Sequence, residues 1–174
     1  MTSDLPSPFT IEPETQADTP AVERLVVDVF GDAMRTRAAW HLRQGVPHDP
    51  DLAFIAKLDG ELVGTVSCTP ILVGDRRIVM LGPLAVDPAR RLAGMGAALM
   101  RRVIESARTL PEERTGGLIV LVGDRPYYER FGFVPVPHRQ IEMTHPVDYD
   151  RVLALELVRG RLEEVRGLAR KACD

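Results

Sequence analysis

Between Val86 and Leu99 the chain reads Asp-Pro-Ala-Arg-Arg-Leu-Ala-Gly-Met-Gly-Ala-Ala, with apolar extended sequence before it and amphipathic helical sequence after it. A helix that opens after such a loop presents N–H groups with no intrahelical acceptor, and its dipole adds positive potential. Gly94 and Gly96 allow a bulky anion to approach the backbone. Arg90 and Arg91 bring charge to the same place. These features describe a phosphate or diphosphate site. A dinucleotide fold places G-x-G-x-x-G directly after its strand; here seven residues separate Val86 from Gly94, and Leu99 stands where the third glycine belongs. A P-loop requires a lysine after its second glycine, and none follows Gly96.

The elements that must hold this loop can be read from spacing. Phe9 to Pro13 alternates as a short strand. Thr19-Pro20 reads as an N-cap followed by proline at the first helical position, and Val22, Leu25, Val26, Val29 and Phe30 follow at helical spacing until Gly31. Asp32 to Gln44 reads as a second helix. Three strands follow: Leu52 to Leu58, Glu61 to Leu72 and Arg77 to Val86, with turns at Asp59-Gly60 and Gly74-Asp75. Gly82-Pro83 interrupts the third, since proline gives no donor to a ladder. Gly94 to Leu110 is an amphipathic helix. Leu118 to Val122 is a buried type of strand, Pro126 to Phe131 a short helix or turn, and Val134 to Val136 and Arg151 to Val158 further strands. Leu162 to Ala172 has helical spacing. This order predicts an α+β or layered α/β fold around one sheet. Residues 1–8 read as a flexible N-terminus, 9–145 as the main domain, and 146–174 as a strand and helix completing it.

Composition narrows the function. Of 174 residues 45% are hydrophobic and 27% charged, with a net charge of −3. That suits a globular domain, and the scattered basic residues give no reason to expect nucleic-acid binding. Two cysteines, Cys68 and Cys173, have no disulfide or metal spacing, which fits a reducing cytoplasm. The N-terminus lacks the features of a signal peptide and no apolar run is long enough for a membrane span. The expectation is a cytoplasmic protein with no metal and no membrane partner.

Arg91-Leu-Ala-Gly94-Met-Gly96 matches [Q/R]-x-x-G-x-[G/A], the acyl-CoA loop of the Gcn5-related N-acetyltransferase (GNAT) family, and the segment resembles it. Leu84-Ala-Val-Asp-Pro88 is similar to the end of that family's fourth strand, and Ala98-Leu-Met-Arg101 to its third helix. Tyr127-Tyr-Glu-Arg-Phe-Gly-Phe133 resembles its Y-x-x-x-G-F element. The wording LGPLAVDP and VGDRPYYERFGF is similar to a bacterial subgroup of predicted acetyltransferases. The resemblance covers about residues 9 to 137. It departs at Gly123-Asp124-Arg125-Pro126, where many members carry an asparagine. It implies a mixed, mostly antiparallel central sheet flanked by helices, with a splayed fourth strand.

The resemblance also implies roles. Acetyl-CoA is the cosubstrate. Leu84, Ala85 and Val86 line the pantetheine arm, with a backbone N–H near Leu84 as oxyanion donor. Arg91, Leu92, Ala93, Gly94, Met95, Gly96 and Ala97 form the pyrophosphate loop. Tyr128 is the general acid for the leaving thiolate, with Tyr127 the alternate. A phenol of pKa ~10 and a thiol of ~8.5 differ by about 2 kcal/mol. Deprotonating an amine of pKa ~10.4 at neutral pH costs roughly 4–5 kcal/mol, so a base or water relay is expected; His41, His48, Glu142 and His145 are its candidates. Trp40, His41 and Arg43 either shape an acceptor pocket or pack as an ordinary helix face.

The expected function is acetyl transfer from acetyl-CoA to a primary amine of a small molecule or peptide. The alternative is a non-catalytic acyl-CoA-binding regulatory or interaction module, and a third reading is a nucleotide-binding protein using the same loop. Tyr149 to Val158 is expected as an edge or closing strand, where it caps the acceptor cleft or forms a homodimer interface.

Overall fold

A computed structural model describes residues 7–92 and 94–173. Met1 to Pro6, expected to be loose, lie outside the described residues, as do Ala93 and Asp174. The elements in chain order are β1 (Phe9–Pro13), α1 (Thr19–Phe30), α2 (Ala38–Arg43), β2 (Ala53–Leu58), β3 (Glu61–Val73), β4 (Arg76–Val86), α3 (Met95–Thr109), α4 (Glu112–Thr115), β5 (Leu118–Val122), α5 (Arg125–Tyr128), β6 (Val134–Pro135), β7 (Ile141–Glu142), β8 (Val152–Glu156), α6 (Arg161–Glu164) and β9 (Gly167–Lys171).

The strands form a sheet in the order β1-β2-β3-β4-β5-β8-β6, while β9 pairs with both β3 and β7. The pairings along that order are antiparallel except β4 with β5. Both faces are covered, which is why the central strands are apolar in both registers. On one face α3 lays Leu99, Met100, Val103 and Ile104 against Val66, Val79, Leu81, Ile119 and Leu121. On the other, α2 and β9 cover Ile71, Ile78, Met80 and Val120. Phe133, from the Y-x-x-x-G-F element, is 2% exposed in the α3-side core.

Four expectations change. The helix expected over Asp32 to Gln44 divides: Asp32–Thr36 is a 3-10 turn and α2 begins only at Ala38. The N-cap of α1 is Asp18, one residue before the expected Thr19, because Thr15 and Asp18 close a capping box ahead of it. The helical spacing of Leu162 to Ala172 yields one helical turn, α6, and then a strand; Ala169 of β9 sits opposite Val73 of β3 and is fully buried there. Of the two places expected for Tyr149 to Val158, an edge or a closing strand, the edge falls away: β8 lies between β5 and β6 with its first four residues buried.

Helix α3 is the member on which the α3-side core and the glycine loop both depend. Leu99→Ala removes a fully buried side chain and should destabilise the fold by about 2–5 kcal/mol. Urea unfolding followed by circular dichroism measures this, and a loss below about 1 kcal/mol would contradict the packing described.

Candidate functional site

Strands β4 and β5 are paired through only two positions, Val79 with Ile119 and Met80 with Val120. Beyond them the strands part, while β4 stays paired to β3 on its other edge as far as Val86 opposite Gly64. The parting begins at Gly82-Pro83. The peptide there is cis, Gly82 has φ 135°, a value that a side chain would strain, and the β3–β4 register shifts between Val66 and Cys68. A cavity of about 650 Å³ opens between the parted strands, with Leu81, Leu84, Leu121, Gly123 and Tyr128 in its wall.

The glycine loop lies ahead of α3. Gly94 is the helix N-cap at φ 83°, which its lack of a side chain permits. The Ala98 N–H donates to the Gly94 carbonyl at 2.8 Å, and the Met95 N–H turns back to the Leu92 carbonyl at 3.3 Å. The N–H groups of Gly96 and Ala97 belong to the first turn, where a helix offers no acceptor. The Met95 side chain is fully buried in the core and Leu92 packs at its margin. Arg91 is exposed. Arg90 is engaged elsewhere, in an ion pair with Glu61 and toward the Leu58 carbonyl at 3.5 Å. Ala93 lies outside the described residues. Of the β4 residues in question, Leu84 lines the cavity, whereas Ala85 and Val86 are buried in their pairing with Thr65 and Gly64.

The two tyrosines reach different places. Their rings meet edge to face at 4.9 Å and 86°. A Cβ on Gly96 would come 2.8 Å from the Tyr127 hydroxyl, so Tyr127 stands over the head of α3, with the Arg130 guanidinium 4.6 Å above its ring. A Cβ on Gly123 would collide with the Tyr128 ring, so Tyr128 occupies the end of β5 where the strands have parted. Burial pushes the Tyr128 phenol up to about 12, with Tyr127 and Asp124 adding to the rise and Arg151 opposing it. Burial also raises Tyr127.

A second cavity, of about 680 Å³, lies under α1 on the face of the sheet away from α3. Met34, Trp40, Arg43, Gly82 and Pro83 line both cavities, so the two meet at the point where β4 leaves β5. Arg43 stands at this junction; its guanidinium occupies the space a Cβ on Gly82 would take. Burial brings Arg43 down to about 10, with Arg37 adding to the effect. No carboxylate pairs with it among the described residues. The floor of the second cavity carries Thr65, Ser67 and Thr69, alternate residues of β3 and all buried. Its far wall holds Glu14, whose side chain is 3% exposed.

Sequence reasoning did not single out Glu14 or the three hydroxyls. The signal for the hydroxyls was present: Thr65-Val-Ser-Cys-Thr69 alternates polar and apolar within a strand buried on both faces. Of the four residues considered as a base, only His48 lines either cavity, and it lies 3.7 Å from a Glu14 oxygen. His41 stacks on His145 with centroids 3.5 Å apart, and Glu142 pairs with Arg139 at 3.3 Å. Cys68 is buried and its thiol is pushed up by that burial. Among the described residues no group of His, Cys, Asp and Glu is placed to hold a metal, and no helix is long and apolar enough to cross a membrane.

Comparison with known proteins converges on one family. A profile described as the acetyltransferase (GNAT) family matches residues 17–133. No curated protein matches the chain. Among solved structures the chain is similar to the GNAT family N-acetyltransferase YhbS from Escherichia coli in complex with CoA, at 24% identity and a TM-score of 0.77, covering 98% of this chain and 93% of that one. It is similar to a GNAT family acetyltransferase from Brucella melitensis in complex with acetyl-CoA, at 26% identity, a TM-score of 0.56 and coverage of 85% and 87%. The ribosomal-protein-S18-alanine N-acetyltransferase from Escherichia coli shares the fold at 19% identity, a TM-score of 0.57 and coverage of 87% and 96%. The profile spans well over half of the chain and includes both the parted strands and the loop before α3, so the chain belongs to the acetyltransferase (GNAT) family and is an acetyl-CoA-dependent N-acetyltransferase.

Proposed function

We propose that this protein transfers an acetyl group from acetyl-CoA to a primary amine of a small molecule or peptide, with Tyr128 returning the proton to the leaving thiolate. The observation that carries the reading is the cavity between the parted β4 and β5, which holds Tyr127 and Tyr128 in its wall and reaches Arg43 and Gly82-Pro83. A relative with this fold, YhbS from Escherichia coli, is in complex with CoA, which supports CoA as the cosubstrate class.

In this reading the N–H groups of Gly96 and Ala97, with the dipole of the 15-residue α3 behind them, hold the pyrophosphate. Leu92, Gly94 and Met95 shape that loop, and Arg91 adds charge at its outer side. Leu84 and the adjoining backbone of Ala85 and Val86 line the path of the pantetheine arm. A backbone N–H near Leu84 lies at the level where the thioester carbonyl gains negative charge. Acetyl-CoA supplies the activated acyl group; the amine attacks its carbonyl, and the C–S bond breaks as the thiolate takes a proton. With its phenol near 12, Tyr128 keeps its proton throughout the neutral range. Against an ordinary thiol of ~8.5 the transfer would be uphill by roughly 5 kcal/mol. The same apolar wall raises the affinity of a buried thiolate for a proton, which narrows that gap.

Tyr128→Phe should lower kcat by about a hundredfold or more and leave the Kd for acetyl-CoA within about threefold of wild type, read by calorimetry and a thiol-release assay. Unchanged turnover would remove Tyr128 from the mechanism. Gly94→Glu places a side chain at φ 83° and a carboxylate at the anion site. It should abolish micromolar binding of acetyl-CoA, and retained binding would move the pyrophosphate elsewhere. The pH profile has a defined sign. Because the Tyr128 pKa is raised, its acid form persists up to about 12, so kcat should rise as the acceptor amine loses its proton and show no falling limb from Tyr128 below about pH 10. A falling limb near pH 9 that Tyr128→Phe removes would show the phenol to be unshielded.

A further inference from the structure

The two oxygens of Glu14 are held differently. One lies 3.7 Å from the His48 imidazole; the other, Oε2, is buried and has no hydrogen-bond partner. The side chain is 3% exposed and lines the second cavity, so this oxygen lies where solvent reaches it poorly and no described residue satisfies it. A buried carboxylate oxygen without a partner is costly. Burial accordingly raises the Glu14 carboxyl above its ordinary range, with Asp18 adding to the rise and His48 opposing it. Oε2 lacks a hydrogen-bond donor that a ligand can bring.

Strand register fixes where the Glu14 backbone stands relative to the chemistry. The Glu14 N–H donates to the Ala53 carbonyl at 2.9 Å; Ala53 is opposite Ser67; the Ser67 hydroxyl reaches the Gly82 carbonyl at 3.4 Å. Glu14 and Gly82 are thus three strand spacings apart on one line across the sheet, about 14 Å between backbones. Ala53 keeps the line low, and Thr65, Ser67 and Thr69 supply hydroxyls along it. At the other end stands Arg43, a cation with no described carboxylate partner. The cavity is therefore polarised, negative at Glu14 and positive beside the acyl site.

We propose that the second cavity binds the acceptor and that the acceptor is a linear polyamine-like molecule with two basic nitrogens roughly 10 Å apart, one held as an ammonium on Glu14 while the other reaches Gly82-Pro83 to be acetylated. This rests on the acetyl-transfer reading above. The arrangement separates the two nitrogens by charge state. Glu14 favours the protonated form of the first, and Arg43, as a like charge, favours the neutral, nucleophilic form of the second. Glu14 is a recognition group at this distance, and acts on the reacting amine by placing it.

The test uses straight-chain α,ω-diamines of increasing length and the monoamines that match them, titrated by calorimetry into the CoA-saturated protein. The wild type should bind a diamine about tenfold or more tightly than the matched monoamine, with an optimum at intermediate length. In Glu14→Gln that ratio should fall to about one. The wild-type preference is itself a result, so the inference stays testable if the variant folds poorly. A ratio near one in the wild type, or a ratio that Glu14→Gln leaves intact, overturns the inference. In either case retained acetyl-CoA binding and the Tyr128→Phe effect would leave the acetyl-transfer reading standing. Absence of acetyl-CoA binding would overturn both.

Discussion

In a sheet buried on both faces, every backbone N–H and C=O needs a partner, and an unmatched one costs about as much as a lost hydrogen bond. β4 meets this requirement against β3 along nearly all its length and against β5 for two residues only. The segment from Leu81 onward consequently has one edge that no strand among the described residues completes. Much of the remaining structure follows from keeping that edge open inside a packed protein. Pro83 has no N–H to leave unmatched, Gly82 takes a conformation that other residues avoid, and Tyr127 and Tyr128 of α5 stand in the wall of the opening without filling it. An extended ligand arm with its own amide groups is the complement such an edge lacks, as in strand addition to an exposed sheet edge.

The low dielectric that follows from this burial acts on each ionisable group nearby, and acts differently by type. Tyr128 is held neutral, Arg43 is weakened as an acid–base pair but stays charged at neutral pH, and Cys68 is kept as an unreactive thiol. Burial alone gives the phenol a proton it will not lose spontaneously and the guanidinium a field that water does not screen. Charges near the glycine loop are arranged differently, with Arg90 tied to Glu61 at the surface, so the loop relies on its backbone.

The sequence was most legible where local chemistry and global fold agree. Asp59-Gly60 and Gly74-Asp75 turned as expected, the apolar faces of α1 and α3 were readable from spacing, and the glycine loop and the Tyr-Tyr-Glu-Arg-Phe-Gly-Phe run lie on the elements they implied. It was least legible where tertiary pairing overrode spacing. Leu162, Val165, Leu168 and Ala169 suit a helix face, yet Gly167 at φ 120° and the open edge of β3 draw the last of them into β9. Glu14 was hidden for another reason. A glutamate just past a strand reads as an ordinary solvated residue, and only the placing of α1 and His48 over it makes it a buried one.

β3 is 13 residues long and divides one edge between two partners: β2 takes its first half, and β9, from the last stretch of the described chain, takes Ile71 to Val73. Those final contacts join positions about a hundred residues apart in sequence, the most distant pairing in the sheet. Ordering so long an intervening loop is entropically slow. On a ribosome the meander from β1 to β4 and the helix after it are available early, while the edge of β3 at Ile71 to Val73 stays open until β9 has emerged. The late strand thus acts as a latch on an edge that would otherwise be open during synthesis, and truncated products lacking it would present that edge to chaperones and proteases.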